Sequence, residues 1–145
     1  MSQAANQDLK QKIVAKLSGP TLCALATVTE DGKPWVRYVI PFADENMTLW
    51  MATFINSRKV SQIKRNPEVH LTTGVAAMET AESYLQIQGK AEILTDQATK
   101  TAVWNDYLKR IFTGPEDPNY AVCKIKPYRI EYQEMGMLPA EIWEP

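Results

Sequence analysis

The sequence predicts a mainly β protein with flanking helices, a six- or seven-stranded antiparallel barrel within a single domain. Three observations carry this. The apolar period shifts from four residues to two at Thr21. Three strand-like segments then follow one another through short turns. Alternation returns in later segments as far as Tyr132, and closure into a barrel would remove the edges that so many strands would otherwise expose.

Leu9, Ile13 and Leu17 recur every four residues and mark a first amphipathic helix, which Ser18-Gly19-Pro20 stops. Thr21–Thr29 reads as a strand of small and β-branched residues, and Asp31-Gly32 as a hairpin turn. Trp35–Phe42 reads as the returning strand. Alternation puts Val36, Tyr38 and Ile40 on one face, with Trp35, Arg37, Val39 and Pro41 on the other. After the turn Asp44-Glu45-Asn46, Met47–Thr53 is a third strand.

Asn56 or Ser57 can cap a short helix that runs to Arg65, with Val60 and Ile63 inward, and Asn66-Pro67 ends it. Val69–Ala76 and Tyr84–Leu94 are the next strands. Thr95 caps a third helix in which Trp104, Leu108, Ile111 and Phe112 form one apolar stripe. Tyr120–Lys126 and Tyr128–Tyr132 close the barrel as two strands broken by Pro127. One domain covers residues 1–145, with 134–145 as a C-terminal tail in which Trp143 is not core of a regular element.

Composition excludes several function classes. Sixteen Lys and Arg against seventeen Asp and Glu give a net charge of −1, which argues against a generally basic nucleic-acid binder. No apolar run reaches the ~20 residues of a membrane helix, and the N-terminus lacks the apolar core of a secretion signal, so a cytoplasmic location is expected. The two cysteines, Cys23 and Cys123, lie in apolar runs and read as buried reduced thiols. With His70 as the one histidine, the chain has too few ligands for a structural zinc site, so no metal is expected.

The informative stretch runs from Arg37 to Lys59. Arg37 stands alone among Val36, Tyr38, Val39 and Ile40 on an apparent central strand. A cation there is costly unless it meets an anion, either a structural carboxylate or a ligand. Asn56-Ser57-Arg58-Lys59 follows a strand and opens a helix. That supplies free backbone N–H groups, a hydroxyl and two cations at a helix N-terminus, the recipe for a phosphate site. With Thr53 just upstream, two elements could grip one phosphate. His70 reads as a structural residue of its strand, and Trp35 and Trp50 as packing aromatics.

In order and spacing, RYVIPF at 37–42, Ala52-Thr53, SRK at 57–59 and QIKRNPEVHL at 62–71 resemble the pyridoxamine 5′-phosphate oxidase-like FMN-binding split barrel. Downstream, TGPEDPNYAVCKIKPYRIEY is similar to the general-stress-protein branch of that superfamily, and the resemblance covers roughly residues 8–133. The resemblance implies FMN as cofactor, with Arg37 at its phosphate or ribityl region and Tyr38, Val39, Ile40 and Pro41 beside the flavin ring. It implies Ala52 and Thr53 along the ribityl and phosphate region, and Ser57, Arg58 and Lys59 on the phosphate. It further implies a homodimer with FMN in the groove between subunits, and a small-molecule substrate or an electron donor such as NAD(P)H. The true oxidase carries a substrate-binding Lys where this chain has Phe42, and its C-terminal Arg-His motif is absent here. The expectation is therefore an FMN-dependent oxidoreductase other than a true pyridoxamine 5′-phosphate oxidase. The alternatives are a flavin carrier or stress sensor without turnover, and a haem or deazaflavin binder on the same barrel. A Gln expected on the fifth strand is matched by either Gln86 or Gln88, both on one face.

Overall fold

Leu9, Ile13 and Leu17 are all buried along one side of helix α1 (Gln3–Leu17), as their spacing requires. The structure, a computed structural model, describes residues 2–136 and 139–145. The strands are β1 (Cys23–Val28), β2 (Pro34–Val39), β3 (Phe42–Ala43), β4 (Leu49–Phe54), β5 (Glu68–Thr73), β6 (Ser83–Leu94), β7 (Tyr120–Glu134) and β8 (Glu141–Trp143). Helix α2 (Arg58–Arg65) lies between β4 and β5, and α3 (Gln97–Val103) follows β6. None of the described helices is long and apolar enough to cross a membrane.

Every strand pairing is antiparallel, and the path runs β2-β1-β5-β6-β7-β4-β3, with β8 beside the second half of β7. The mainly β split barrel expected from the sequence is what forms. Strands β2 and β3 end that path on opposite sides, yet only Ile40 and Pro41 separate them in the chain. Three peptide steps reach at most roughly 11 Å, so the sheet has to roll until its two edges nearly meet. Thr21 N, donating to Pro41 O at 2.9 Å, fastens the junction.

The rolled sheet encloses Leu25, Leu71, Leu85, Ile87, Ile125 and Ile130, all fully buried, and α1 plugs the same core. A second apolar cluster lies on the other face of β4 and β7. There Val122 and Tyr120 pack with Val103, Leu108 and Phe112, and with Phe42, Trp50 and Trp104 at the margin. The start of β7 is thus buried on both faces, which explains its unbroken apolar run Tyr120–Cys123.

The sequence reading is corrected at four places. First, the strand expected over Trp35–Phe42 is two strands, because Pro41 has no N–H to continue a ladder. Its first half, β2, is an edge strand rather than a central one, so Val36 and Tyr38 are 61% and 77% exposed and Arg37 reaches inward. Second, Pro127 does not break the closing strand. Gln88 stands opposite Arg129 and Gly89 opposite Pro127, so the extra residue Tyr128 forms a bulge, where proline is tolerated.

Third, the third helix is capped by Asp96, which accepts from Thr99 N at 3.0 Å, and it ends at Val103. Asn105 then accepts from Tyr107 N at 3.0 Å and starts a separate 3-10 turn over Asp106–Arg110. This local side-chain bond competes with helix continuation, so the single stripe splits: Leu108 and Phe112 are buried, and Ile111 is 43% exposed. Fourth, Trp143 is buried in the main core, on β8 opposite Ile130. Of the expected tail at 134–145, Met137 and Leu138 lie outside the described residues. Cys23 and Cys123 are buried free thiols, as expected, and burial pushes the Cys123 thiol up to about 12.

Gly89 sits where a Cβ would lie 2.9 Å from Ile125 Cγ2 and 3.0 Å from Lys126 O. Gly89→Ala should therefore lower stability by about 1–3 kcal/mol. Gly114→Ala, which meets only the flexible end of Glu116, should shift stability by roughly 0.5 kcal/mol or less. Urea midpoints for the two variants check the contrast.

Candidate functional site

Strand β4 delivers Thr53 to the edge of a turn in which Ser57 N donates to Phe54 O at 3.0 Å. Ser57 then takes the N-cap position of α2, but its hydroxyl makes no capping bond. It lies 3.2 Å from the Thr53 hydroxyl instead. Lys59 Nζ donates to Thr53 Oγ1 at 3.0 Å and to Ser57 Oγ at 3.4 Å. The expected trio of Thr53, Ser57 and Lys59 is thus one hydrogen-bonded cluster at a helix start, where the helix dipole favours an anion.

Arg37 enters the same neighbourhood from β2. Its guanidinium donates to Leu25 O at 3.2 Å, Thr27 Oγ1 at 2.8 Å and Gln62 Oε1 at 3.1 Å. All three acceptors are neutral, so no structural carboxylate meets the charge. Burial, and then the Arg58 charge, lower the Arg37 pKa from its ordinary value. Burial also lowers the Lys59 ammonium, with Arg37 adding to the shift and Cys123 opposing it. Arg58 lies over the Trp35 ring, 5.1 Å from its centroid.

The ion pairs among the described residues include Arg65 and Arg129 but none of Arg37, Arg58 and Lys59. Three cations that repel one another, with no acid between them, form a standing attraction for a phosphate-like anion.

A cavity of about 220 Å³ opens beside the cluster. Tyr38, Val39 and Ile40 line it from the end of β2, Ala52 and Thr53 from β4, and Lys59 from α2. The structure therefore brings together six of the nine sequence-chosen residues around one space, with Ser57 tied to two of them. Arg37 and Arg58 stand outside the lining; the Arg37 charge acts on Lys59, and the Arg58 charge on Arg37.

Sequence reasoning missed Gln62 and Thr27, the buried acceptors that hold Arg37. Gln62 had a signal: it sits one turn after Arg58, between the inward residues Val60 and Ile63. Thr27 carried none beyond its place in an alternating strand. Also missed was the opposite wall, from Asn105 and Tyr107 to Phe112, because a stripe read as core gave no reason to look for a cavity. His70 lies on β5 among other residues and does not line this space. Gln86 and Gln88 point outward on one face of β6, as alternation required.

Residues 9–134 match the family described as Pyridoxamine 5′-phosphate oxidase. General stress protein 26 of Bacillus subtilis is 34% identical over 130 residues, 90% of this chain and 91% of that protein. The pyridoxine/pyridoxamine 5′-phosphate oxidase of Escherichia fergusonii is 37% identical over 87 residues, 60% of this chain but only 38% of that enzyme. Among solved structures, General Stress Protein 26 from Bacillus anthracis superposes with a TM-score of 0.79 at 34% identity, covering 94% of this chain and 98% of that one.

The fold is shared more distantly by two other structures. One is a pyridoxamine 5′-phosphate oxidase-related, FMN binding protein from Nostoc punctiforme (TM-score 0.67, 17% identity, 96% and 85% covered). The other is a heme binding protein from Mycobacterium smegmatis (TM-score 0.70, 15% identity, 97% and 58% covered).

Inorganic phosphate should raise the melting temperature of the wild-type protein by a few degrees at about tenfold over its Kd, by mass action. Chloride at equal ionic strength should not, and Arg58→Ala combined with Lys59→Ala should abolish the effect. Because the folded-state pKa of Lys59 is lowered, the unfolded chain binds more protons between the two values. The stability of the anion-free protein should rise as pH climbs through that window, while the phosphate effect fades. Thermal melts from neutral pH to about pH 10 read both trends.

Proposed function

The chain belongs to the pyridoxamine 5′-phosphate oxidase family, and on that premise we propose that it is an FMN-binding oxidoreductase acting on a small molecule. One observation carries the reading: Lys59 lines an apolar cavity between the end of β2 and the second half of β4, with Arg37 and Arg58 behind it and none of the three paired with a carboxylate among the described residues. FMN is a dianionic phosphate joined to a planar, mostly apolar ring, and both halves find matching chemistry here. Ser57, Arg58, Lys59 and the Thr53 hydroxyl would hold the phosphate. Arg37, fastened by Thr27 and Gln62, would hold positive charge close to it without needing to rotate. Tyr38, Val39 and Ile40 would lie beside the ring, with Pro41 leaving its own carbonyl bonded to Thr21.

Bound flavin would supply hydride transfer, and the protein would supply position and electrostatics. Apolar walls keep water from the ring, and the fixed cations favour negative charge building up nearby. A nicotinamide dinucleotide is the proposed electron donor. The C-terminal substrate motif of the true oxidase is missing, and Phe42 packs in the apolar cluster with Trp50. The substrate is therefore proposed to differ from pyridoxine 5′-phosphate.

A homodimer is proposed as the working form. A cavity of about 220 Å³ is small for a ligand of this size, since such pockets usually measure about 300–1,000 Å³. Edge strand β2 also leaves Val36 and Tyr38 strongly exposed beside it. A second copy would cover those side chains and complete the groove. The buried free thiols suit the reducing cytoplasm, where the protein is placed in this reading. A histidine-ligated haem is disfavoured, because the single histidine is not among the cavity residues.

Flavin fluorescence titrations test the binding site. Arg58→Ala should weaken FMN by about one to two orders of magnitude, the loss of one charge-assisted hydrogen bond of roughly 1.5–3 kcal/mol. Riboflavin, which lacks the phosphate, should bind weakly to the wild type and respond little to the substitution. Equal wild-type affinities for the two flavins would remove the phosphate site and the reading with it. Light scattering at micromolar concentration should give the dimer mass, and a monomer that still binds FMN would refute the shared groove.

A further inference from the structure

The cavity has two kinds of wall. Among the described residues the only charged side chain in its lining is Lys59, already hydrogen-bonded to Thr53 and Ser57. The wall built by the 3-10 turn and the residues after it contains Tyr107, Leu108, Ile111 and Phe112. Phe54 of β4 meets Phe112 at 4.8 Å between ring centroids, and Phe112 meets Tyr120 at 5.1 Å. Asn105, the polar member of this wall, uses its side-chain carbonyl on Tyr107 N. On this side of the cavity Arg110 lies 6.0 Å from the Tyr107 ring centroid and is not part of the lining.

Once a phosphate is engaged by the Lys59 cluster, an ionic second molecule against the far wall would be desolvated by rings and aliphatic groups, with no charged side chain among the described residues of that wall. A flat uncharged ring would lose nothing comparable and would gain contact with the aromatic wall. Tyr107 and Ile111 are about half exposed, so this wall also meets solvent and a small molecule can reach it.

We infer that the wall formed by Tyr107, Ile111 and Phe112 selects an uncharged, planar aromatic molecule, of the size and class of a naphthoquinone, as the second ligand of the cavity. This deepens the flavin reading and rests on it for the phosphate at Lys59. Ile111 is the specificity-determining position, because it is the aliphatic side chain of this wall that faces the cavity, stays 43% exposed and belongs to neither core cluster.

The test is calorimetric titration of the FMN-saturated protein with three probes: 2-methyl-1,4-naphthoquinone, 1,4-naphthoquinone-2-sulfonate and pyridoxine 5′-phosphate. The wild type should bind the neutral quinone at least about tenfold more tightly than either anion. Ile111→Glu should weaken the quinone by about tenfold or more, while FMN affinity read from the visible spectrum moves far less. Ile111→Gln, uncharged and of similar length, should weaken it less and guards against a folding defect. Arg110→Ala should leave the ranking of the probes unchanged.

An anion bound as tightly as the quinone, no quinone binding, or a ranking that depends on Arg110 would each overturn the inference. If FMN itself does not bind, the same titrations are run on the flavin-free chain. Preference for the quinone there would defeat the flavin reading alone, and preference for an anion would defeat both.

Discussion

The structure depends on a two-residue link. Strands β2 and β3 terminate the sheet on opposite sides, yet Ile40 and Pro41 are all that join them. A chain that short cannot span an open seven-stranded sheet, so it sets the curvature of the whole barrel. Proline is suited to the role because it cannot extend either ladder, and its carbonyl still accepts from Thr21. The same link makes the end of β2 a cavity wall and leaves its outer side chains uncovered. Core, cavity and the proposed subunit contact all follow from one closure.

Placing Arg37, Arg58 and Lys59 together without an acid is a cost the folded chain carries. Burial disfavours the charged forms of Arg37 and Lys59 and lowers both pKa values, with the Arg58 charge adding to the first shift and the Arg37 charge to the second. Neutral acceptors limit the cost: Thr27, Gln62 and Leu25 O for Arg37, and Thr53 and Ser57 for Lys59. A carboxylate would have relieved it further and would also have competed with an anionic ligand. Stability is given up locally at the proposed binding site, while the apolar core on either side of β7 holds the scaffold.

The family and the site carry different weights. Agreement with general stress protein 26 extends over nine-tenths of both chains, so fold and family are firmly assigned. The match to the Escherichia fergusonii oxidase takes in only 60% of this chain and 38% of that enzyme. That enzyme's chemistry at the second ligand therefore does not transfer with the fold. In this chain the wall proposed to meet a second ligand is built from the 3-10 turn and the residues after it, with aromatic and aliphatic side chains.

The sequence alone determined the antiparallel barrel, the first helix and most strand positions, because alternation and turn residues act over a few neighbours. It also marked the cluster proposed to hold a phosphate, since Thr53, Ser57 and Lys59 are brought together by a single strand-turn-helix unit. What it could not give was anything set by contact between distant segments. That β2 is an edge follows from pairing order. That Pro127 is absorbed into a bulge follows from Gly89 across the ladder. That Arg37 is held by Thr27 and Gln62, and that Trp143 is core, depends on partners 10 to 25 residues away in one case and on β7 in the other. The aromatic wall was decided last, when Asn105 capped a new turn and divided a stripe that on local periodicity belonged to one helix.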